Sequence, residues 1–458
     1  MTEQLKLKLN DSKATRWGAL VIVAFTMMAA YYVNDVVAPL KTMLETDLAW
    51  SSTDFGFFTG GYSFLNVFFL MLIWGGLILD RFGIRFTGKL ATILMVGGTA
   101  LEYYAMTGLA GADATLFGIN EIFGYKTGVF VAFAGYSIFG VGAEVAGITV
   151  SKIIAKWFKG KELATAMGVQ VALARIGSQA GYAVAIPLAR AFGISTPVLL
   201  GLVLLLGGMI AFFIFAVMDK KLDKQMEAAA IAAGTEDEEE KFSFKDVKNI
   251  LVNPGFWLIA LLCVLFYSCV FPFQKFASEL MIIKYGINEN VAGTFAGLPA
   301  LGALILTPVF GGFIDKRGKS ASIMLLGSAM LICVHFIYAI PDINYWLVAI
   351  VLMIILGIAF SLVPSAMWPA VAKIFPVSQL GTAYALIFFI QNIGLWGIPT
   401  LIGWVLDAYC ISGKKPDGTN MYDYTVPMCI FTGIACLSLI VALLLKKADK
   451  KYGYKLEE

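Results

Sequence analysis

FGVGAEVAGITVSKIIAKWFKGKELATAMGVQVALARIGS, residues 139–178, is the stretch that decides the fold. It contains two apolar arms joined by a short basic turn from Lys156 to Lys161. Each arm carries one charge deep inside it, Glu144 in the first arm and Arg175 in the second. A charge in the middle of a membrane-spanning helix is costly and therefore indicates a functional site. Two opposite charges on neighbouring arms can neutralise each other, or they can bind a ligand that carries both signs.

The composition indicates that the chain lies in a lipid bilayer. Of its 458 residues, 59% are hydrophobic and only 14% are charged, whereas soluble chains are about one quarter charged. Five of the six cysteines lie in apolar segments and do not suggest a disulfide framework. The single histidine, His335, leaves no Cys/His spacing for a metal. We therefore expect no metal, no cofactor and no nucleic-acid partner, and the net charge of +3 adds little.

Twelve segments are apolar and long enough to span a membrane, which takes about 20 residues each. They are residues 17–42, 53–79, 87–109, 127–153, 162–189, 195–217, 256–283, 290–314, 320–340, 344–371, 379–405 and 425–446. A long polar stretch divides them six from six. We predict an all-α membrane protein with a six-helix bundle over residues 1–218, a cytoplasmic linker over 219–253 that can include a short surface helix, and a second six-helix bundle with a short tail over 254–458.

Lysine and arginine are distributed unevenly between the two sides of the predicted membrane. One side holds both termini, the central linker and most of the basic residues, whereas the other side holds only Lys41, Lys126, Arg190, Lys284, Lys414 and Lys415. Cytoplasmic loops carry the excess of bases in membrane proteins. We therefore predict that both termini are cytoplasmic.

A short motif occurs at the same place in each half. Residues 76–85 read GLILDRFGIR and residues 311–319 read GGFIDKRGK, so both contain Gly, three residues, Asp, a base, any residue and Gly. Parallel repeats of six spans build one large class of secondary transporters. An Asp in such a loop can pair with a base and with a helix amino terminus. We predict a gating role for Asp80, Arg81, Arg85, Asp315 and Arg317; the alternative is a basic turn without such a role.

The repeated loop resembles the signature of the major facilitator superfamily, which implies twelve helices in two bundles around a central cavity. Further segments are similar to the lysosomal dipeptide-transporter branch of that superfamily, in addition to the acid at Glu144. They are residues 62–67, 157–163, 174–178, 270–273, 363–364, 368–369, 380–384 and 391–395. This resemblance implies facilitated passage (uniport) of dipeptides, which are recognised through their termini and backbone.

Two sequence features favour a cellular location different from that of the lysosomal branch. Residues 1–16 contain no acidic-dileucine sorting pattern, and no predicted outward loop contains Asn-X-Ser/Thr. We therefore predict a prokaryotic relative in a plasma (inner) membrane. We also expect the protein to work as a monomer.

Glu144 and Arg175 define the predicted binding site. At about 1.5 Å per residue along a helix, they lie within one or two turns of each other in depth. We predict that Glu144 receives a ligand ammonium and that Arg175 binds a ligand carboxylate, because a guanidinium can bind both oxygens. A dipeptide is a zwitterion of suitable size, with about 3.5 Å of reach per residue. The alternative is a structural ion pair that joins the two arms.

Other polar and aromatic residues inside the predicted helices extend this site. Lys275 can complete a carboxylate site, reach the membrane interface or pair with Glu279. Uncharged polar side chains inside a membrane need a protein partner or a watery cavity. The full set of predicted substrate-binding residues is Glu144, Arg175, Asp35, Asn34, Tyr62, Asn66, Lys275, Trp368 and Gln391.

We predict a secondary transporter that moves small zwitterions, dipeptides first among them, by alternating access. One alternative is a dicarboxylate exchanger that uses Arg175 and Lys275. Another is a proton-coupled symporter in which Glu144, Asp35 or Glu279 titrates, and a third is a membrane sensor or scaffold without transport. The sequence offers no catalytic histidine and does not favour an enzyme. The expected partners are a small-molecule substrate, the lipid bilayer and, for a coupled carrier, protons.

Overall fold

The computed structural model describes residues 8–111, 114–233 and 244–458, which are mostly helical. The first half contains α1 Lys13–Val36, α2 Lys41–Leu48, α3 Ser52–Phe68, α4 Met71–Thr107, α5 Thr127–Trp157, α6 Leu163–Phe192 and α7 Thr196–Ala233. The second half contains α8 Phe244–Val252, α9 Pro254–Tyr285, α10 Glu289–Ala296, α11 Leu298–Arg317, α12 Ser320–Ala339, α13 Trp346–Ile374, α14 Val377–Tyr409 and α15 Thr425–Tyr452.

Short elements complete the structure. Two 3-10 helices span Leu9–Asp11 and Ala38–Leu40. Strands β1 Glu121–Ile122 and β2 Tyr125–Lys126 form one antiparallel hairpin. Strands β3 Ile411–Lys414 and β4 Asn420–Tyr422 form another.

The helices match the twelve predicted spans. Nine helices of the described residues are long and apolar enough to cross a membrane, with α1–α2 and α10–α11 each counted once. Helices α3 and α4 meet at a bend of 58°, and taken together they are also long and apolar enough to cross the membrane. Helix α4 is itself interrupted at Gly83, whose φ of 74° and ψ of 174° are not helical. This break separates predicted spans 53–79 and 87–109, and α6 accounts for the remaining span.

Each half packs as a bundle of helices. In the first half, α1 lies against α6 and α7, α4 against α5 and α7, and α3 against α5. In the second half, α9 lies against α14 and α15, α12 against α13 and α15, and α11 against α13. The halves meet where α3 contacts α14 and where α6 contacts α10 and α11. The first of these crossings is close, because a Cβ atom on Gly56 would lie 2.5 Å from the carbonyl oxygen of Pro399.

Residues 8–16 and the carboxyl-terminal tail lie at one face of the molecule, which we call the termini face, and the two β-hairpins lie at the opposite far face. The backbone N–H of Leu9 donates to Gln225 at the end of α7 (2.8 Å). The N–H of Ser320, the first residue of α12, donates to the carbonyl of Leu456 (2.7 Å). At the far face, the Lys126 ammonium of β2 donates to the carbonyl of Ala49.

The amino-terminal segment is attached to the loop between α5 and α6 by charged contacts. Lys161 donates to Asp11 (2.5 Å) and to the carbonyl of Asn10 (2.9 Å), and Arg16 pairs with Glu162 (2.8 Å). The hydrogen bond from Lys161 lowers the pKa of Asp11, and the one from Arg16 lowers the pKa of Glu162. A lowered carboxyl pKa contributes stability above the unfolded-state pKa, and that contribution is lost only as the pH falls through the folded-state pKa. These contacts are therefore formed at neutral pH.

The predicted linker, residues 219–253, is partly helical. Helix α7 continues past residue 218 to Ala233, and α8 occupies the end of the linker. Asp219, at the start of this stretch, is buried and pairs with Lys156 of α5 (2.8 Å). Residues 234–243 of the predicted linker lie outside the described part of the chain.

We predict that Gly177→Ala destabilises the protein, because helix α6 approaches the backbone of α1 at this glycine. A Cβ atom there would lie 2.1 Å from the carbonyl oxygen of Met28. Overpacking of this kind costs about 1–3 kcal/mol, which a lower Tm in detergent would reveal. Gly168→Ala in the same helix is the matched control, because a Cβ atom there meets nothing within 4 Å. Equal melting of both variants would contradict the close approach.

Candidate functional site

A cavity of about 610 Å³ lies between the two halves. Helices α1, α3, α4, α5 and α6 line it from the first half, and α9, α13 and α14 line it from the second half. Of the nine predicted binding residues, the seven that line it are Asn34, Tyr62, Glu144, Arg175, Lys275, Trp368 and Gln391. Ligand sites in proteins have volumes of about 300–1,000 Å³, so the cavity is large enough for a small solute.

Glu144 occupies the cavity wall formed by α3 and α5. Its carboxylate accepts a hydrogen bond from the Tyr62 hydroxyl (3.0 Å). The contact depends on Gly140, one helical turn earlier, where a Cβ atom would lie 2.0 Å from the carbonyl oxygen of Tyr62. Among the ion pairs of the described residues, none includes Glu144.

Arg175 lies in α6 between two aromatic rings. Its guanidinium carbon is 4.8 Å from the ring centre of Phe360 and 5.6 Å from that of Tyr31. Such contacts stabilise a cation by about 0.5–2 kcal/mol without neutralising its charge. In the described part of the chain the guanidinium forms no ion pair, so the structural pair with Glu144 that the sequence left open as an alternative is not formed in this conformation.

Asp35 and Lys275 form an ion pair between the two halves. The Lys275 ammonium lies 3.1 Å from Asp35 and also donates to the carbonyl of Asn34 (2.6 Å) and to the Tyr136 hydroxyl (3.4 Å). Asp35 accepts a further hydrogen bond from Ser178 of α6 (2.6 Å). Asp35 is buried behind Lys275 and is not one of the cavity-lining residues. The Lys275 charge is therefore neutralised within the protein.

The uncharged predicted residues are placed in different surroundings. Gln391 lines the cavity and accepts a weak hydrogen bond from the Cys263 thiol (3.5 Å). Trp368 lines it too and stacks on Phe388, with ring centres 4.8 Å apart. Asn66 is buried in α3 and is not one of the cavity-lining residues. Neither polar atom of its side chain has a partner among the described residues.

An aromatic wall in the second half is a feature that the sequence did not reveal. Tyr267 and Phe271 of α9 stack with ring centres 5.5 Å apart, and both line the cavity. Their spacing of four residues places them on one face of a helix. Helices of this chain contain so many aromatic residues that this spacing alone could not distinguish a cavity wall from ordinary packing.

A buried charge network joins the halves at the far face. The Lys41 ammonium lies 2.6 Å from Glu45 and 2.5 Å from Glu279 of α9. Glu279 also accepts a hydrogen bond from Tyr424, and Lys415 lies 3.6–3.7 Å from both carboxylates. From the sequence we expected Lys41 and Lys415 on the outer side of the membrane and considered a Lys275–Glu279 pair, whereas Glu279 pairs with Lys41. The four-residue spacing of Lys41 and Glu45 was the available signal.

The predicted gating residues contact their own halves. In the first half, Asp80 pairs with Lys152 (3.2 Å), and Arg85 pairs with Asp223 (2.8 Å). The Arg81 guanidinium lies 5.5 Å from the Phe82 ring centre, and that of Arg317 lies 5.3 Å from the Phe313 ring centre. The side chain of Asp315 lies outside the described part of the chain. The ion pairs described above between the halves lie instead toward the far face.

Comparison with known proteins gives the family of the chain. The model of the Major Facilitator Superfamily matches residues 20–399 and 277–455. The chain therefore belongs to the Major Facilitator Superfamily and is a multi-pass membrane protein of the secondary-transporter class. The predicted fold of two six-helix bundles is confirmed.

Individual relatives and solved structures agree with this assignment. The human lysosomal dipeptide transporter MFSD1 (Homo sapiens) is 29% identical over 409 residues, which cover 86% of this chain and 81% of the relative. The nucleoside transporter NupG has a similar structure, with a TM-score of 0.69, 12% identity and coverage of 93% of this chain and 98% of NupG. The peptide transporter POT in complex with sulfate has a TM-score of 0.68, 13% identity and coverage of 96% and 95%.

We predict that Lys41→Met strongly destabilises the protein, because it leaves Glu45 and Glu279 buried with the more distant Lys415 ammonium in place of two close ion pairs. Removing one partner of a buried ion pair costs about 3–5 kcal/mol, which should lower the Tm in detergent. Lys414→Met is the control, because the ammonium of this exposed far-face lysine donates to Asn420 (2.7 Å) and pairs with no carboxylate among the described residues. Adding Glu279→Gln to Lys41→Met should recover part of the loss. A single variant that melts like the wild type would show that the network does not stabilise this conformation.

Proposed function

We propose that the chain carries small zwitterions, and specifically dipeptides, across the membrane. The observation that supports this most is the pair of opposite charges in one cavity. Among the described residues, a hydroxyl donates to Glu144, aromatic rings contact Arg175, and neither side chain has an ionic partner. A ligand with an ammonium and a carboxylate would neutralise both charges. The printed function of the human relative, a lysosomal dipeptide transporter, supports the same substrate class.

In this proposal each charge recognises one end of the peptide. Glu144 and the Tyr62 hydroxyl would bind the amino terminus, and the planar guanidinium of Arg175 would bind the carboxylate through two hydrogen bonds. The rings of Tyr31 and Phe360 would keep the guanidinium in place before the ligand arrives. Asn34 and Gln391 would offer polar contacts to the peptide backbone.

The side chains of the peptide would lie against apolar walls. Trp368 with Phe388, and Tyr267 with Phe271, provide flat surfaces from the second half. Apolar contact with a flat aromatic ring depends little on the shape or orientation of the side chain that packs on it. A carrier built in this way is expected to discriminate strongly between free and blocked peptide termini and weakly between side chains.

We propose alternating access in which two rigid units, residues 1–218 and 254–458, rock about the cavity. The far face is held shut by Lys41–Glu279 and Asp35–Lys275. Opening it would separate these pairs. The predicted gating loops around Asp80 and Asp315 would then approach the opposite half and close the termini face.

We also propose that the termini face is cytoplasmic and that the protein lies in a plasma (inner) membrane. Most lysines and arginines outside the helices are on that face, as the excess of bases in cytoplasmic loops requires. The conformation described here would then be closed to the outside.

The dicarboxylate alternative is less well supported by the geometry. Exchange of a dicarboxylate would require two available bases in the cavity, yet Lys275 is already neutralised by Asp35. Only Arg175 remains for a second negative group. A membrane sensor or scaffold would not need charges of both signs exposed to one cavity.

We predict that Glu144→Gln and Arg175→Lys each impair one half of ligand recognition. The probe is Ala-Ala, compared with its N-acetylated and C-amidated forms, by thermal stabilisation and by counterflow in liposomes. The wild type should bind only the free dipeptide. Losing one charge-assisted hydrogen-bond partner should weaken Ala-Ala binding about 10- to 100-fold. Glu144→Gln should no longer distinguish the acetylated peptide from the free one.

The matched control for the carboxylate change is Glu121→Gln, at an exposed position in β1. It should bind and transport as the wild type does. If blocked peptides stabilise the wild type as well as Ala-Ala does, the two-ended site is excluded. If dicarboxylates alone stabilise the protein, it is the anion exchanger.

Proton coupling is a second candidate mechanism, favoured by Glu102 of α4. This side chain is fully buried, and neither carboxylate oxygen has a partner among the described residues. An isolated buried carboxylate is costly unless it is protonated.

In liposomes with Ala-Ala as the driving gradient, a coupled carrier should acidify or alkalise the lumen in step with peptide flux. Glu102→Gln should abolish that pH change while peptide counterflow persists. Peptide flux without any pH change identifies a uniporter.

A further inference from the structure

A second cavity lies apart from the central one, between α4 and α7 at the termini face. Its volume is about 490 Å³. Two aromatic side chains, Phe82 and Phe86, and three bases, Arg85, Lys89 and Lys220, are part of its lining. Phe82 and Phe86 are more than half exposed, so the cavity opens on the outer surface of the bundle. We call it the α4–α7 cleft.

Apolar strips lead from the α4–α7 cleft along the outer surface of both helices. On α7 the strip consists of Val217, Ile214 and Ile210. These residues lie at spacings of three and four and therefore on one helix face. On α4 it consists of Phe86 and Ile93, seven residues apart. Each of these side chains is at least 50% exposed. Together the strips form a groove that extends from the termini face toward the middle of the membrane.

The close contact between α4 and α7 forms the bottom of the cleft. A Cβ atom on Gly88 would lie 1.9 Å from the ring of Phe212, so α4 and α7 approach closely at this level. The helices separate on the outer side, where Phe86 and Val217 are exposed. The cleft therefore results from the packing of α4 on α7.

The bases of the cleft differ in their partners. Arg85 is neutralised by Asp223 (2.8 Å) and lies 3.8 Å from Asp219. The Lys89 ammonium lies 5.0 Å from the ring centre of Phe213, and Lys220 is exposed. In the described residues no carboxylate pairs with either lysine. Lys89 and Lys220 thus bring two ammonium groups, without a carboxylate partner among the described residues, to a cleft that continues into an apolar groove.

We propose that the α4–α7 cleft binds one anionic glycerophospholipid. Its phosphate would lie between Lys89 and Lys220, and its acyl chains would follow the apolar strips. Basic pockets between membrane helices bind phosphate headgroups, and each base near the surface strengthens the attraction. Lysine is a common phosphate ligand that acts as a point charge. A soluble phosphate would contact the bases alone, whereas one lipid molecule would contact both the bases and the strips, which is why the occupant is a lipid.

The test uses the full-length protein in a neutral detergent, titrated with phosphatidylglycerol or with phosphatidylcholine of the same acyl chains. Native mass spectrometry measures the bound fraction. The wild type should bind phosphatidylglycerol more tightly than phosphatidylcholine. Lys89→Gln with Lys220→Gln should weaken phosphatidylglycerol binding roughly 10- to 30-fold and leave phosphatidylcholine unchanged.

Two further variants make the result specific to the cleft. Lys447→Gln with Lys450→Gln removes two exposed bases of α15 on the same face and should retain the preference for phosphatidylglycerol. Val217→Trp should fill the groove with an apolar side chain and weaken binding of this lipid without changing any charge. This second route remains informative if the double lysine variant is unstable.

Three results would overturn the proposal. The first is equal binding of both lipids by the wild type. The second is an equal loss in the α15 control, which would show attraction to the whole basic face. The third is displacement of phosphatidylglycerol by millimolar glycerol phosphate, which would make the cleft an anion site rather than a lipid site.

Discussion

The cost of placing a charge in a membrane explains the arrangement of this transporter more than any other constraint. An ionised side chain inside the bilayer needs a partner, and opposite charges on different helices provide one. The pairs Lys41–Glu279 and Asp35–Lys275 meet this need by joining the two halves. In the described part of the chain, Glu144 and Arg175 face the cavity without an ionic partner. In the proposed function, the paired charges stabilise one conformation, and Glu144 and Arg175 bind the solute.

Sequence alone predicts the helices because hydropathy and length depend on local composition. All twelve predicted spans are helical, and the six-plus-six arrangement followed from one polar stretch and one repeated loop. The boundary between the second and third spans is less regular than expected, since α3 is bent against α4 and Gly83 provides the break. Helix α7 also extends past its predicted end, because Asp219 is buried and pairs with Lys156 of the neighbouring helix.

The candidate site was predictable to a different degree for each residue. Glu144 and Arg175 could be found because a single charge in an apolar segment is rare. Their surroundings could not, since the rings around Arg175 come from α1 and α13, far apart in sequence. Asn66 was predicted to bind substrate but does not line the cavity. A polar residue in a membrane helix can equally be buried between helices, and sequence does not distinguish the two cases. Glu279 pairs with Lys41 of the other half. This contact depends on how the two halves meet, so a local sequence pattern could not predict it.

The crossing of α3 and α14 has a consequence for the carrier as a machine. Gly56 and Gly403 bring bare backbones together, and a Cβ atom on Gly403 would lie 2.3 Å from the carbonyl oxygen of Ser52. Where helices meet through glycines, their backbones can turn against each other with few side chains in the way. In the proposed alternating-access cycle, this crossing would allow rotation near the far face. The balance between two states depends on their free-energy difference, so a side chain added at either glycine would shift that balance if one state accommodates it better than the other.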